Sequence, residues 1–156
     1  MVSVTQNYYP FSLIILLLLI QDIFYSQTLN FGHISVEDGL SNRYVNCLLQ
    51  DRTGFVWFGT DDGLNRYDGY DIKIYRNDPE DSATISNSII WSLFEDKEGY
   101  IWVGTKGGKL NRYDPHTDNF KHWILDSSNT KDINITVIYE DSKNYLWIGT
   151  YKNGLY

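Results

Sequence analysis

The sequence predicts an all-β chain assembled from repeated antiparallel sheets, and three observations carry that prediction. Trp57-Phe58-Gly59-Thr60 returns as Trp102-Val103-Gly104-Thr105 and as Trp147-Ile148-Gly149-Thr150, at a spacing of 45 residues both times. Each copy breaks into short runs rich in β-branched and aromatic residues, bounded by Asp, Asn and Gly turn clusters. Beyond residue 27 the segments between turn signals are too short for an amphipathic helix. A four-stranded meander repeated at about this length is the blade of a β-propeller. The expected architecture is two complete blades and part of a third, with the ring not closed.

The chain opens differently. Leu13 to Ile20 is an unbroken apolar run, too short to cross a hydrocarbon layer of about 30 Å as a stable helix. It suits the apolar region of a secretory signal over residues 1–27, cleaved near Ser26 or Gln27. The alternative is a buried or uncleaved anchoring segment, and membrane association is expected only through this stretch. Export would leave the single cysteine, Cys47, without a partner for a disulfide. Ser92 and Val137 stand at its place in the other copies, so Cys47 reads as a small filler within a strand.

Blade 1, residues 40–84, offers strands at Val45–Gln50, Phe55–Gly59, Leu64–Tyr67 and Ile72–Tyr75. Blade 2, residues 85–130, repeats the layout at Ile90–Glu95, Tyr100–Gly104, Leu110–Tyr113 and Phe120–Trp123, with one extra residue near Gly108. The partial blade 3, residues 131–156, offers Ile135–Glu140 and Tyr145–Gly149 and stops inside its third strand. Asn77 to Asn87, with Pro79 and several acids, reads as an exposed link between blades, and Asp126 to Asp132 is its counterpart.

Recurrence assigns the motif residues to structure. Asp51, Asp96 and Asp141 each lie six residues before the Trp, where a carboxylate can accept turn amides. Gly54 and Gly99 can take the positive φ such a turn requires, as can Asn144 in the third copy. Trp57, Trp102 and Trp147 supply apolar plates between blades, each with an indole N–H able to reach a carbonyl. Gly59, Gly104 and Gly149 leave room for close backbone approach. Thr60, Thr105 and Thr150 can satisfy a loop amide.

Composition narrows the function classes. A net charge of −7 argues against a nucleic-acid surface, which needs clustered Lys and Arg to displace counterions. Gly104-Thr105-Lys106-Gly107-Gly108-Lys109 lacks the spacing and the hydroxyl residue of a phosphate-cradling loop and reads as a hairpin. Asp61, Asp62, Asp78, Glu80 and Asp81 lack the alternation of a calcium loop and read as solvated turn acids. Asn134-Ile135-Thr136 matches a glycosylation sequon, a pattern of three residues that carries no function by itself. His33, His116 and His122 are scattered. No catalytic residue, cofactor site or metal site is expected, and the chain is not expected to be an enzyme.

Gly39-Leu40-Ser41-Asn42, the run Gln50 to Thr60, and Asp62-Gly63-Leu64-Asn65-Arg66-Tyr67-Asp68-Gly69 closely resemble two-component regulator propeller repeats. Such repeats form the periplasmic sensor region of hybrid two-component histidine kinases of the Bacteroidetes type, and the resemblance runs from about Leu29 to Tyr156. It implies that residues 28–39, with a strand-like Leu29–Ser35, are of the ring-closing kind. It also implies a fragment of an extracytoplasmic, periplasmic sensor without a kinase domain in this chain, sensing a carbohydrate or another small periplasmic ligand. Its other expected partners are further blades or copies of itself. Aromatics that the repeat core does not need, Tyr44, Tyr70, Trp91 and Trp123, are the candidate ligand-facing residues. The alternative is a stand-alone exported scaffold or lectin-like propeller that assembles as an oligomer.

Overall fold

The computed structural model describes residues 29–125 and 133–156. The expected signal at 1–27 and the link at 126–132 lie outside them. The chain divides into two compact units, residues 1–33 and 34–156. Of the first, residues 29–33 are described, and they carry no regular structure. The described strands all belong to the second unit.

Strands β1 (Val45–Gln50), β2 (Val56–Thr60), β3 (Gly63–Tyr67) and β4 (Ile72–Tyr75) pair in chain order as one antiparallel sheet. Strands β5 (Ile90–Glu95), β6 (Ile101–Thr105), β7 (Lys109–Asp114) and β8 (Asn119–Ile124) make the second. The third holds β9 (Asn134–Glu140), β10 (Leu146–Tyr151) and β11 (Gly154–Leu155), in the order β11-β10-β9. These are the expected blades, and the described sheets do not close into a ring. The extra residue of blade 2 is absorbed in the β6–β7 hairpin, where Gly107 and Gly108 take φ of 93° and 69°. Their amides donate to the Ile133 carbonyl at 2.9 and 2.8 Å, so the loop holds the chain just before β9.

Period-two alternation gives each blade two apolar faces. One face of blade 2 presents Ile90, Ile101 and Val103 to Trp57, Leu64 and Tyr75 of blade 1, and all six are buried in one core. Blade 3 turns Ile135, Ile138 and Ile148 onto Leu110, with Phe94 and Trp102 packed alongside. Blades come closest at the motif glycines. A Cβ on Gly59 would stand 2.4 Å from Cys47 Sγ and 2.6 Å from Ile90 Cγ2. On Gly104 it would meet Ser92 Oγ at 2.2 Å, Ile135 Cγ2 at 2.6 Å and the Ile135 carbonyl at 2.7 Å. Cys47 fills this seam, and burial pushes its thiol pKa up to about 12, so it is an inert packing group.

Two wholly buried amides hold the chain as it enters each blade. Asn65 accepts the Ser41 amide at 2.9 Å and donates to Ser41 Oγ at 2.8 Å. Asn111 accepts the Ser86 amide at 2.9 Å and donates to carbonyls of Val103 and Lys109. Each is fully enclosed and satisfied by several partners, which is what makes a buried amide tolerable.

Two expectations are corrected. No strand forms over 29–35. Instead Ser35 and Asp38 cap a single 3-10 turn at Val36–Asp38, and Gly39 ends it at φ 103°. The link from Asn77 to Asn87 is not simply exposed, because Ile85 is 0% exposed and belongs to the blade 1–2 core. The Ala83 carbonyl accepts from the Phe120 amide at 2.8 Å and Asn77 Nδ2 donates to the Ile85 carbonyl at 2.8 Å, so the link is fastened to blade 2. Replacing Ile85 by Ala is expected to lower unfolding stability by about 2–5 kcal/mol, read from the urea midpoint. A loss no larger than that of a surface substitution would contradict the packing of the link.

Candidate functional site

The repeated motif proves to be a fastening. Asp51 Oδ1 accepts the amides of Thr53 and Phe55 at 2.9 and 3.1 Å, and Oδ2 accepts the Trp57 indole N–H at 2.7 Å. Asp96 binds the Glu98 and Tyr100 amides and Trp102 Nε1 in the same way, the last at 2.7 Å. Asp141 binds the Lys143 and Tyr145 amides and Trp147 Nε1, the last at 3.0 Å. The indole N–H therefore goes to a carboxylate and not to the expected carbonyl, because only the carboxylate can reach turn and ring together. Gly54, Gly99 and Asn144 take φ of 99°, 90° and 66°, as the turn requires. Burial pushes the Asp51 carboxyl up, but the bonds from Thr53, Trp57 and Phe55 outweigh it and hold it below the ordinary range. In Asp141 the Trp147 bond is the largest cause of a lowered value. An ionised carboxylate saturated with donors is a poor proton shuttle.

The motif threonines divide their duties. Thr60 Oγ1 accepts the Asp62 amide at 3.0 Å, as expected of it. It also donates to the Gly63 carbonyl, a bond that Thr105 and Thr150 repeat to Lys109 and Gly154, each at 2.9 Å.

Polar groups also lace the blades together. Arg52 reaches Glu95 at 2.6 Å, with further bonds to the Asp96 and Lys97 carbonyls. Lys97, at the equivalent position of blade 2, reaches Glu140 at 3.4 Å and Asn144. Sequence reasoning missed this pairing, although both cations follow a motif Asp and both partners precede one. At the outer strands Arg66 donates to the Tyr113 hydroxyl at 2.9 Å, while Tyr75 and Tyr113 donate to Asp118 Oδ1 at 2.8 and 2.7 Å. Lys73 completes the cluster through Asp118 Oδ2. A cavity of about 320 Å³ opens between the Asp51 hairpin and blade 2. Its floor is Arg66, stacked 4.8 Å over the Phe55 ring, so packing residues line it. Among the described residues, no three His, Cys, Asp or Glu side chains could hold a metal ion.

A binding site should depart from the repeat, and one position on the edge strands β1, β5 and β9 combines a change of residue type with exposure in all three. Positions 46, 91 and 136 each skip a partner in the register. Asn46, Trp91 and Thr136 are the equivalent residues. Asn46 Nδ2 donates to Asp61 Oδ1 at 2.8 Å and across the blade seam to the Ile90 carbonyl at 2.9 Å. That bond puts an amide and a carboxylate beside the backbone of Trp91, whose side chain is 36% exposed. Tyr44, 60% exposed, precedes β1 with Arg43 5.5 Å from its ring centroid. The other two candidates lie elsewhere. Tyr70 sits in the β3–β4 turn, 92% exposed. Trp123 lies on β8, its ring 5.4 Å from that of Trp102, where it helps pack the motif indole. Sequence reasoning does not single out Asn46 and reads Asp61 only as a solvated turn acid, since their meaning rests on a bond across the seam.

The model of the two component regulator propeller matches residues 39–62, 84–107 and 130–152, one stretch in each sheet. Those three stretches are similar to that family's repeats. Two solved structures share the fold of this chain. The extracellular domain of a hybrid two component system from B. thetaiotaomicron superimposes with a TM-score of 0.69 over 80% of this chain, at 29% identity. The extracellular domain of a one component system from the same bacterium gives 0.65 over 84%, at 31% identity. A curated relative, histidine kinase P4 of Formosa agariphila, is 57% identical over 49 residues, 31% of this chain. The repeats described here span 18% and 19% of those two structures and 4% of that kinase.

The outer cluster makes a pH prediction. Burial raises the Asp118 carboxyl, but the Lys73, Tyr113 and Tyr75 bonds outweigh it and bring its pKa to about 2, against about 3.9 for a free Asp. A depressed folded value means that the carboxylate stabilises the fold fully above the free value and loses that contribution as pH falls toward about 2. Denaturant midpoints of the unaltered chain should therefore fall between about pH 4 and pH 2, and those of Asp118→Asn should fall less. Equal slopes would contradict the assignment.

Proposed function

We propose that the chain is the ligand-binding propeller region of an extracytoplasmic sensor in a two-component system, and that its ligand is a carbohydrate. The observation that carries this reading is Trp91, an exposed indole on an inner edge strand where the other repeats have Asn46 and Thr136. An indole face offers a sugar the apolar surface of its C–H groups. With both Asn46 Nδ2 hydrogens committed to Asp61 and the Ile90 carbonyl, the Asn46 amide oxygen and the Asp61 carboxylate next to the Trp91 backbone offer hydroxyl groups acceptors. Binding, and not chemistry, is the role this set supports, because the neighbouring Asp62 carboxylate is paired with Arg76 at 3.0 Å. The similarity to extracellular domains of two-component and one-component systems supports an extracytoplasmic location. The kinship of part of the chain to a histidine kinase supports a role in signalling.

The test is binding of arrayed neutral and uronic oligosaccharides to the full chain, with the best binder carried into calorimetry. Trp91→Ala is expected to weaken that binder at least about tenfold, equivalent to about 1.4 kcal/mol, with the denaturation midpoint unchanged. Trp123→Ala should do the reverse, lowering stability and leaving affinity. Binding insensitive to Trp91→Ala would overturn the site. No binding to any arrayed sugar would overturn the ligand class.

A further inference from the structure

Positions 46 and 61 of blade 1 are neighbours in space, since Asn46 Nδ2 donates to Asp61 Oδ1 at 2.8 Å. One repeat on, the same two positions hold Trp91 and Lys106. The departure from the repeat thus replaces an amide and an acid by an indole and a cation. Both seams that flank this corner, blade 1 to blade 2 and blade 2 to blade 3, are formed within the chain.

The corner is held from two sides. The Ile89 carbonyl accepts the Lys106 amide at 3.1 Å, and the Ile90 carbonyl accepts Asn46 Nδ2 at 2.9 Å. These are the two residues that precede Trp91. Lys106 also forms a β-bridge with Asn134 at the start of β9. Gly107 and Gly108 direct their amides to the Ile133 carbonyl, so the hairpin backbone does not cradle an anion and the donor left is the Lys106 ammonium. Arg52, Arg66, Lys73, Arg76 and Lys97 each meet a carboxylate. Lys106 is exposed and meets none among the described residues. Lys109, on the same hairpin, differs from it, because Asp78 and Asp81 line the cavity that Lys109 faces.

We infer that the corner of Trp91 and Lys106 takes an acidic oligosaccharide, with a sugar ring on the indole and a carboxylate or sulfate group against the Lys106 ammonium. The inference rests on the carbohydrate reading of Trp91 and adds the charge of the ligand to it. Asn46 and Asp61 accept the ring hydroxyls, and the Asp61 carboxylate repels the anionic group toward Lys106. The ammonium gives that group a charge-assisted hydrogen bond that a neutral sugar does not make.

Calorimetry on the full chain tests this with uronic oligosaccharides, each beside its methyl ester, and with sulfated oligosaccharides, each beside its desulfated form. The acidic form is expected to bind about three- to tenfold more tightly than its neutral counterpart, by a margin that shrinks as salt is raised. Lys106→Ala should bring the two affinities together, whereas Lys109→Ala should keep them apart. Trp91→Ala should weaken both forms. The pair that converges more in Lys106→Ala identifies the anionic group. Neutral forms bound as tightly as acidic ones would overturn the inference and leave the carbohydrate reading standing. Equal effects of Lys106→Ala and Lys109→Ala would overturn it as well, since net charge alone would then account for the preference. Absence of binding to every sugar, charged or neutral, would overturn both.

Discussion

The structure depends on how closely the inner strand of one blade can approach the sheet before it. At Gly59 and Gly104 the approach leaves no space for a methyl group. Seating an isoleucine there brings the two sheets into contact along their length. The larger side chains follow from that spacing. Trp57 lies 5.0 Å from the Tyr113 ring and 6.0 Å from the Tyr75 ring, and Tyr75 and Tyr113 each meet Phe120 within 5.5 Å. Opening the seam by one methyl would loosen every one of these contacts, because dispersion falls away within a fraction of an ångström to an ångström.

A tight seam needs its indole fixed, and the motif Asp does that. It binds the hairpin amides and the ring N–H with one carboxylate, so turn and core plate are positioned by the same group. The buried Asn65 and Asn111 do the corresponding work at the other end of the sheet, where the incoming chain is held by its Ser amide. Polar groups that are both enclosed and fully bonded add specificity more than net stability. They select one register for strands whose apolar pattern would tolerate others.

Much of this was legible because the chain states its rule three times. β1, β4 and β5 fall where alternation and turn residues place them, and the notch role of Gly59 and Gly104 follows from glycine recurring within a strand. Relations between blades were less legible. Ile85 looked like part of a polar link, and only its alignment with Leu40 one repeat earlier hints that both are core residues. The indole partner was assigned to a carbonyl because a side chain six residues away becomes a neighbour only once the hairpin has folded. Arg52–Glu95 and the Asn46 bridge to Ile90 join residues more than 40 apart, and no local pattern signals such pairs. The candidate site was partly readable, since Trp91 interrupts the repeat, whereas Trp123 pairs with Leu110 as Tyr75 does with Leu64 and packs on Trp102 as Tyr75 does on Trp57.

The account therefore divides the chain into residues that recur and hold the blades, and a few that depart from the repeat and face outward. Its central claim is that the motif glycines serve the seam between blades and not the strands that contain them. Unfolding free energies of Gly59→Ala, Gly104→Ala and Gly149→Ala test it directly. The first two should each lose about 1–3 kcal/mol through overpacking. Gly149→Ala, where an added Cβ would meet Val137 of its own blade at 3.3 Å, should change stability by no more than about 0.5 kcal/mol in this chain. Equal losses at all three positions would contradict the account.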